Sequence, residues 1–143
     1  MEKVPSNPVK EYSTLALAGG SNGSIQFTGR VAQPVAKYYT SIAKVLVSPR
    51  SEGTNTPLKV YEQLASGIPL VATNIYSHTQ VLTPEVAFLV EPTPEAIGKG
   101  IAKALINKTE AVKKITAAKK MYDEQYSRDV YTKKLKKLFE HIK

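Results

Sequence analysis

The sequence lacks several features that define large classes of proteins. It contains no cysteine, which excludes disulfide bridges and thiolate metal sites and is typical of a cytosolic protein. Its two histidines, His78 and His141, lie far apart and give no metal-ligand spacing, so neither a metal site nor a bound cofactor is predicted. There is no run of roughly eighteen apolar residues, so no membrane-spanning helix is expected. The start of the chain has no apolar segment like that of a signal peptide.

Length and composition describe an ordinary globular domain. The chain has 143 residues, of which 42% are hydrophobic and 22% charged, so a single domain over residues 1–143 with a real core is predicted. The net charge of +8 is uneven, because residues 103–143 hold twelve Lys/Arg and five Asp/Glu. A solvated lysine-rich helix face explains this asymmetry most simply, and contact with an anionic membrane surface or nucleic acid remains the alternative. No nucleic-acid fold signature supports the last of these.

Strand and helix patterns alternate along the chain. Apolar runs of strand length occupy residues 14–18, 25–28, 45–48, 69–73 and 87–90. Helices are predicted at residues 34–43 and 57–66, after the Thr93-Pro94-Glu95 and Thr109-Glu110 starts, and at 128–142. The alternation predicts an α/β fold: a Rossmann-like three-layer sandwich around a mostly parallel sheet of about five strands.

One junction does not fit a parallel sheet. Only six small or polar residues separate the runs at 14–18 and 25–28, whereas a parallel crossover takes a dozen or more. Asn22-Gly23 within this junction favours a tight turn. The first strand is therefore expected to be antiparallel to the second, or rearranged so that the two are not neighbours.

Residues 45–73 carry the most informative pattern, a strand, a polar loop, a short helix and a second strand. Loops at the carboxyl ends of parallel strands bind ligands, and helix starts present free amides to phosphate. We expect Thr56 to cap the helix and Pro57 to take its first position, so that the amides of Leu58 and Lys59 face an anion. Lys59 adds a positive charge, and Glu62 lies near enough to bind a ribose diol.

The same segment resembles the nucleotide-sugar half-site of retaining glycosyltransferases of the two-Rossmann-domain type (glycosyl transferases group 1, family four). The resemblance is carried by Glu62 followed by LASGIP at 64–69, and by LALAGG at 15–20, IQFTGRV at 25–31, AFLV at 87–90 and PTPE at 92–95. It implies that Glu62 holds the donor ribose. Many relatives carry a second glutamate at the position of Thr54, and the nearest acid in this chain is Glu52, so the resemblance makes both residues candidate donor contacts.

The resemblance also implies further contacts and further absences. The turn after the 25–28 run lies against the nucleotide base in relatives, which implicates Gly29, Arg30 and Val31. The acceptor-holding domain and the strand whose loop supplies two cations to the donor diphosphate have no counterpart, so the chain resembles a truncated donor domain. The donor substrate is then a nucleotide-diphosphate sugar, and weak or no transfer is expected from this chain alone.

Three kinds of partner besides the donor follow from the resemblance. A missing central strand would favour a homodimer, and a missing domain would favour a separate acceptor-domain partner. Lipid-linked acceptors in relatives would favour an anionic membrane surface and a cytoplasmic, membrane-peripheral location. A purely structural or interaction module acting with a partner chain is the alternative to donor binding.

Two residues near the motif are given structural interpretations. We expect Arg50 to face water rather than the donor. His78 is expected to be a loop histidine with satisfied hydrogen bonds rather than a catalytic residue.

Overall fold

The computed structural model describes residues 25–142. The chain divides into two compact units, Met1–Tyr39 and Thr40–Lys143. The strands are β1 (Leu46–Ser48), β2 (Leu70–Thr73) and β3 (Phe88–Val90). The α-helices are α1 (Gln33–Ile42), α2 (Lys59–Ala65), α3 (Tyr76–Thr79), α4 (Pro94–Ile106), α5 (Lys108–Met121) and α6 (Arg128–Ile142). A π-helix, Tyr122–Tyr126, lies between the last two.

The three strands form one parallel sheet in the order β1-β2-β3. Leu46 is paired with Leu70, and Val71 is paired with Phe88. The central strand β2 is buried along its whole length, which explains its continuous apolar sequence. The predicted α/β fold with a parallel sheet is therefore confirmed, and these three strands correspond to the last three apolar runs.

The other two predicted strands have different outcomes. Residues 25–28 form no strand, so that prediction is wrong. Ile25 is 51% exposed and Phe27 is 40% exposed, so this apolar run lacks the two-sided burial that a central parallel strand requires. The run at 14–18 and the six-residue junction lie outside the described residues, as does the expected reversal of the first strand.

Helices cover both faces of the sheet. Leu70 and Ala72 of β2 pack with Val60 and Leu64 of α2 in one buried cluster. Val71, whose side chain points to the opposite face, packs in a second cluster that includes Phe88 and Ala104 of α4. The result is the helix-sheet-helix layering predicted for a three-layer sandwich.

Helix α4 approaches the sheet most closely at Gly100. A Cβ atom at this glycine would lie 2.7 Å from Val90 Cγ1 and 3.0 Å from Val71 Cγ1. Both contacts are shorter than normal van der Waals separation, and valine side chains have few alternative rotamers. The hydrogen side chain of Gly100 therefore sets the distance between α4 and the two strands.

The helix starts agree with the sequence to different degrees. Thr93 accepts a hydrogen bond from the Ala96 amide at 3.2 Å, which confirms the predicted cap of α4. Helix α5 begins earlier than expected, because Asn107 caps it by accepting from the Glu110 amide at 3.1 Å. The predicted start of α2 is wrong: the helix begins at Lys59, and no side chain caps it.

The π-helix brings a tyrosine against the helix that carries the predicted donor residues. The rings of Tyr126 and Tyr61 of α2 lie 4.9 Å apart in an edge-to-face arrangement. Such a pair contributes about 0.5–1.5 kcal/mol beyond the area it buries. Helix α2 thus packs against the sheet and also contacts Tyr126 of the π-helix that follows α5.

Candidate nucleotide-sugar site

A cleft opens at the carboxyl end of β1. It has a volume of about 330 Å³ and is lined by Ser48, Pro49, Arg50, Pro57 and Lys59. These residues come from the end of the strand and from the start of α2, which meet because the 49–58 loop folds back. The five residues include two cations and no acid, so the cleft is suited to an anionic group.

Arg50 has a defined position in this cleft. Its Nη1 atom donates to the carbonyl oxygen of Asn55 at 3.1 Å across the 49–58 loop. A Cβ atom at Gly53 would lie 2.8 Å from the Arg50 Cζ atom, so the guanidinium packs directly on this glycine. Gly53 has φ of 135°, a conformation that other residues rarely adopt. Arg50 is exposed to water, as expected, and it also lines the cleft, which the sequence interpretation missed.

The predicted residues around the start of α2 do not all reach the cleft. Lys59 lines it. Glu62 lies one turn farther along α2 and is exposed, outside the cleft lining among the described residues. Leu58 is 85% exposed, and Thr56 is half-buried without capping the helix. Because α2 begins at Lys59, Thr56 and Pro57 are not its cap and its first residue, and anion binding by the amides of Leu58 and Lys59 stays a prediction.

Thr54 and Glu52 lie in the exposed part of the same loop. The carbonyl oxygen of Thr54 accepts a hydrogen bond from Gln80 Nε2. This contact ties the middle of the 49–58 loop to the segment that follows β2. Roles for the Thr54 and Glu52 side chains in donor binding stay predictions.

His78 is fully buried beneath the loop. Its Nδ1 lies 2.8 Å from the Thr73 carbonyl oxygen, and its Nε2 lies 2.9 Å from Ser48 Oγ. Since a carbonyl oxygen can only accept, Nδ1 carries a proton; in the tautomer that this selects, Nε2 accepts from the Ser48 hydroxyl. The expectation of a histidine with satisfied hydrogen bonds is confirmed, although the residue lies in the short helix α3 rather than in a loop.

Thr73 connects this histidine to the cleft. Its hydroxyl donates to the carbonyl oxygen of Arg50, and the Thr73 Oγ1 atom itself lies 3.1 Å from His78 Nδ1. Ser48 and Thr73 are the last residues of β1 and β2, so both side chains meet at the carboxyl edge of the sheet. Sequence reasoning missed this network, although polar residues ending two parallel strands are a signal that could have indicated it.

The predicted base contacts, Gly29, Arg30 and Val31, lie in the unit Met1–Tyr39 and not in the unit that contains the cleft. Gly29 has φ of 66°, which suits the turn predicted there. Arg30 is exposed. Val31 lines an open depression of about 530 Å³, together with Phe27 and Tyr39. Their role in binding a base stays a prediction.

A larger groove of about 760 Å³ runs beside β3 and contains none of the predicted site residues. Lys103 and Lys114 both lie over the Phe88 ring, at 5.9 and 5.0 Å, and both pair with Glu110, at 3.2 and 3.6 Å. Lys114 also donates to the Pro84 carbonyl oxygen. These charges already have partners, which favours a structural role in covering the sheet edge.

Two absences concern residues 25–142 alone. No group of three or more His, Asp or Glu side chains in this part of the chain is placed to hold a metal ion. No helix within it is long and apolar enough to cross a membrane.

Comparison with known proteins decides the family. The profile of the family described as glycosyl transferases group 1 matches residues 6–121, well over half of the chain. The chain belongs to this family. No curated protein sequence is significantly similar to it.

Solved structures of this glycosyltransferase kind share its fold. Sucrose-phosphate synthase from Thermosynechococcus elongatus is 18% identical, with a TM-score of 0.78 over 93% of this chain and 34% of the synthase. Anabaena HepE, solved in complex with UDP, is 13% identical, with a TM-score of 0.80 over 93% of this chain and 36% of HepE. The carboxyl-terminal domain of a group 1 glycosyltransferase from Francisella tularensis is 18% identical, with a TM-score of 0.71 over 83% of this chain and 62% of that domain. The chain thus spans about a third of the length of the first two.

Proposed function

We propose that this chain binds a nucleotide-diphosphate sugar as the donor-binding part of a glycosyltransferase, with the donor diphosphate in the cleft at the end of β1. The observation that carries the proposal is that Arg50 and Lys59 line this one cleft, and that none of the described residues lining it is an acid. A diphosphate is a dense anion, and hydrogen bonds from cations to phosphate oxygens are about twice as strong as neutral ones.

The position of the cleft and the family support the same ligand. Open parallel sheets bind ligands beyond the carboxyl ends of their strands, and both Ser48 and Arg50 lie there. Anabaena HepE, which shares the fold, has been solved with UDP and with UDP-glucose. Glu62, exposed one turn beyond Lys59, is the residue that we assign to the donor ribose.

Transfer itself needs more than donor binding. A leaving diphosphate must be stabilised and an acceptor must be held in line with the sugar. The chain spans about a third of the matched synthase and of HepE, so we propose weak or no transfer by this chain alone. Robust sugar transfer by the 143-residue chain would overturn this part of the proposal.

Calorimetric titration tests donor binding. The uridine, guanosine and adenosine diphosphate sugars are titrated separately into the chain, into Glu62→Ala and into Glu124→Ala. We expect heat with at least one donor, weakened in Glu62→Ala and unchanged in Glu124→Ala, because Glu124 is an exposed acid on the π-helix. No heat with any donor would overturn the proposal in favour of a structural module.

A second candidate function rests on helix α6. Four of its large apolar side chains are more than half exposed and follow one face of the helix: Tyr131, Leu138, Phe139 and Ile142. No residue of this helix is buried. A contiguous apolar face of this kind marks a contact site, and we propose that a partner carrying the acceptor-holding domain covers it.

Two alternatives to this partner could cover the apolar face of α6: a second copy of the chain and an anionic membrane surface. Lysines 133, 134, 136 and 137 are on the same helix and would favour anionic lipid. Sedimentation equilibrium and flotation with phosphatidylserine vesicles separate the three. A monomer that does not float fits the proposal, whereas a stable dimer or salt-sensitive flotation would contradict it.

A further inference from the structure

The 49–58 loop is held by hydrogen bonds at three of its carbonyl groups. Thr73 Oγ1 donates to the carbonyl of Arg50, Gln80 Nε2 donates to that of Thr54, and Arg50 Nη1 donates to that of Asn55. Two of these donors lie outside the loop: Thr73 is the last residue of β2, and Gln80 lies in the segment that follows it. Because the loop has no regular secondary structure, such side-chain bonds are what fixes its course.

The first of these bonds is itself supported from below. The Thr73 side chain is fully buried, and its oxygen lies 3.1 Å from Nδ1 of His78. The other ring nitrogen of His78, Nε2, is hydrogen-bonded to the hydroxyl of Ser48, which is the last residue of β1 and part of the cleft lining. His78 therefore fixes both the Thr73 hydroxyl and the strand end from which the loop begins.

We infer that Thr73, His78 and Gln80 are positioning residues for the donor site. They hold the 49–58 loop so that Arg50 and Lys59 face the cleft before any ligand arrives. This inference rests on the proposed function, since it states how the donor cleft is kept in its binding conformation. A preformed site does not lose affinity to the ordering of its loop, so loss of these bonds weakens binding without removing a ligand contact.

Substitutions at Thr73 separate positioning from folding. Thr73→Val keeps the branched shape of a buried strand residue and removes the hydroxyl, whereas Thr73→Ser keeps the hydroxyl. We expect Thr73→Val to weaken UDP-glucose, GDP-mannose or ADP-glucose binding about tenfold, the equivalent of one hydrogen bond. Thr73→Ser is expected to bind as the parent chain does.

Gln80 and His78 give independent variants with matched controls. Gln80→Ala removes an exposed side chain whose one hydrogen bond among the described residues is to the loop backbone, and Gln125→Ala removes an exposed glutamine elsewhere. Ser77→Ala is the control for His78→Gln, because Ser77 is buried beside it and its hydroxyl has no partner among the described residues. We expect both test variants to weaken binding and both controls to leave it unchanged.

NMR relaxation of the loop amides, at residues 50–56 and 58, supplies a reading that needs no ligand. In the free chain, we expect the order parameters of these amides to be lower in Thr73→Val and Gln80→Ala than in the parent chain, with those of β2 unchanged. Titrations are made at a temperature where circular dichroism shows each variant folded. Donor binding by the parent chain that is equally tight in Thr73→Val and Gln80→Ala overturns the inference alone. No binding of any donor by the parent chain overturns the proposed function and the inference with it.

Discussion

His78 Nε2 lies 2.9 Å from Ser48 Oγ, joining two buried residues that are thirty positions apart in sequence. The contact links the last residue of β1 to the short helix that follows β2. Because both side chains lie under the 49–58 loop, the packing of the core and the shape of the cleft depend on the same histidine.

Replacing this histidine tests its structural contribution. His78→Ala removes a fully buried ring and leaves the Ser48 hydroxyl without this partner, so we expect the free energy of unfolding to fall by about 2–4 kcal/mol. The measurement is urea unfolding followed by circular dichroism. Ser77→Ala is expected to leave the midpoint nearly unchanged, and equal midpoints for the two variants would contradict the account.

The close approach of α4 to the sheet can be tested at its two glycines. Gly100→Ala introduces a methyl group against Val90 and Val71, and we expect a loss of about 1–3 kcal/mol in unfolding free energy from overpacking. Gly98 lies on the same helix, and a Cβ atom there would have no described atom within 4 Å apart from the adjacent helix backbone, so we expect Gly98→Ala to gain up to about 1 kcal/mol from helix propensity. Thermal unfolding measures both, and a stabilised Gly100→Ala would show that the predicted contact is not limiting.

The cap of α4 gives a smaller and more local effect. Thr93→Ala removes the hydroxyl that accepts from the Ala96 amide, and we expect a loss of about 1 kcal/mol. Thr109→Ala is the matched control, because Thr109 is an exposed threonine in the first turn of α5 and Asn107 caps that helix. Chemical unfolding measures the free energy of unfolding of both variants. Equal losses of this free energy in Thr93→Ala and Thr109→Ala would mean that Thr93 does not act as a cap.

The charge of Lys59 should matter for donor binding and little for folding. Lys59→Ala removes one of the two cations that line the cleft, and we expect affinity for a nucleotide sugar to fall about ten- to a hundredfold, as for a charge-assisted hydrogen bond. Lys119→Ala, at an exposed position on α5, should not change it. Titrations in low and high salt provide the measurement, and equal affinities for both variants would exclude Lys59 from the site.

The sequence predicted elements whose signals are local. The Thr93-Pro94-Glu95 start and the helix at residues 128–142 were predictable because caps and apolar periodicity lie within the element itself. The start of α2 was not, because Thr56-Pro57 has the composition of a helix start while the chain enters the helix only at Lys59. The run at 25–28 failed for a related reason, since apolar composition does not say whether neighbouring strands will bury it.

The site was predictable only in part. Lys59 could be found because loop and helix are adjacent in sequence. The network of Ser48, Thr73 and His78 could not, since its members become neighbours only when β1 and β2 are paired in register. The place of Arg50 in the cleft was not predictable either, because its contacts with Gly53 and Asn55 depend on a loop conformation that no sequence pattern specifies.

Mapping the binding surface by NMR tests the central claim most directly. Amide chemical shifts of the isotopically labelled chain are followed while UDP-glucose, GDP-mannose and ADP-glucose are added in turn. We expect one donor to shift the amides of Ser48, Arg50 and Lys59 in a saturable way. Saturable shifts confined to the groove beside Phe88, or no shifts with any of the three donors, would contradict the assignment of the donor site to the cleft at the end of β1.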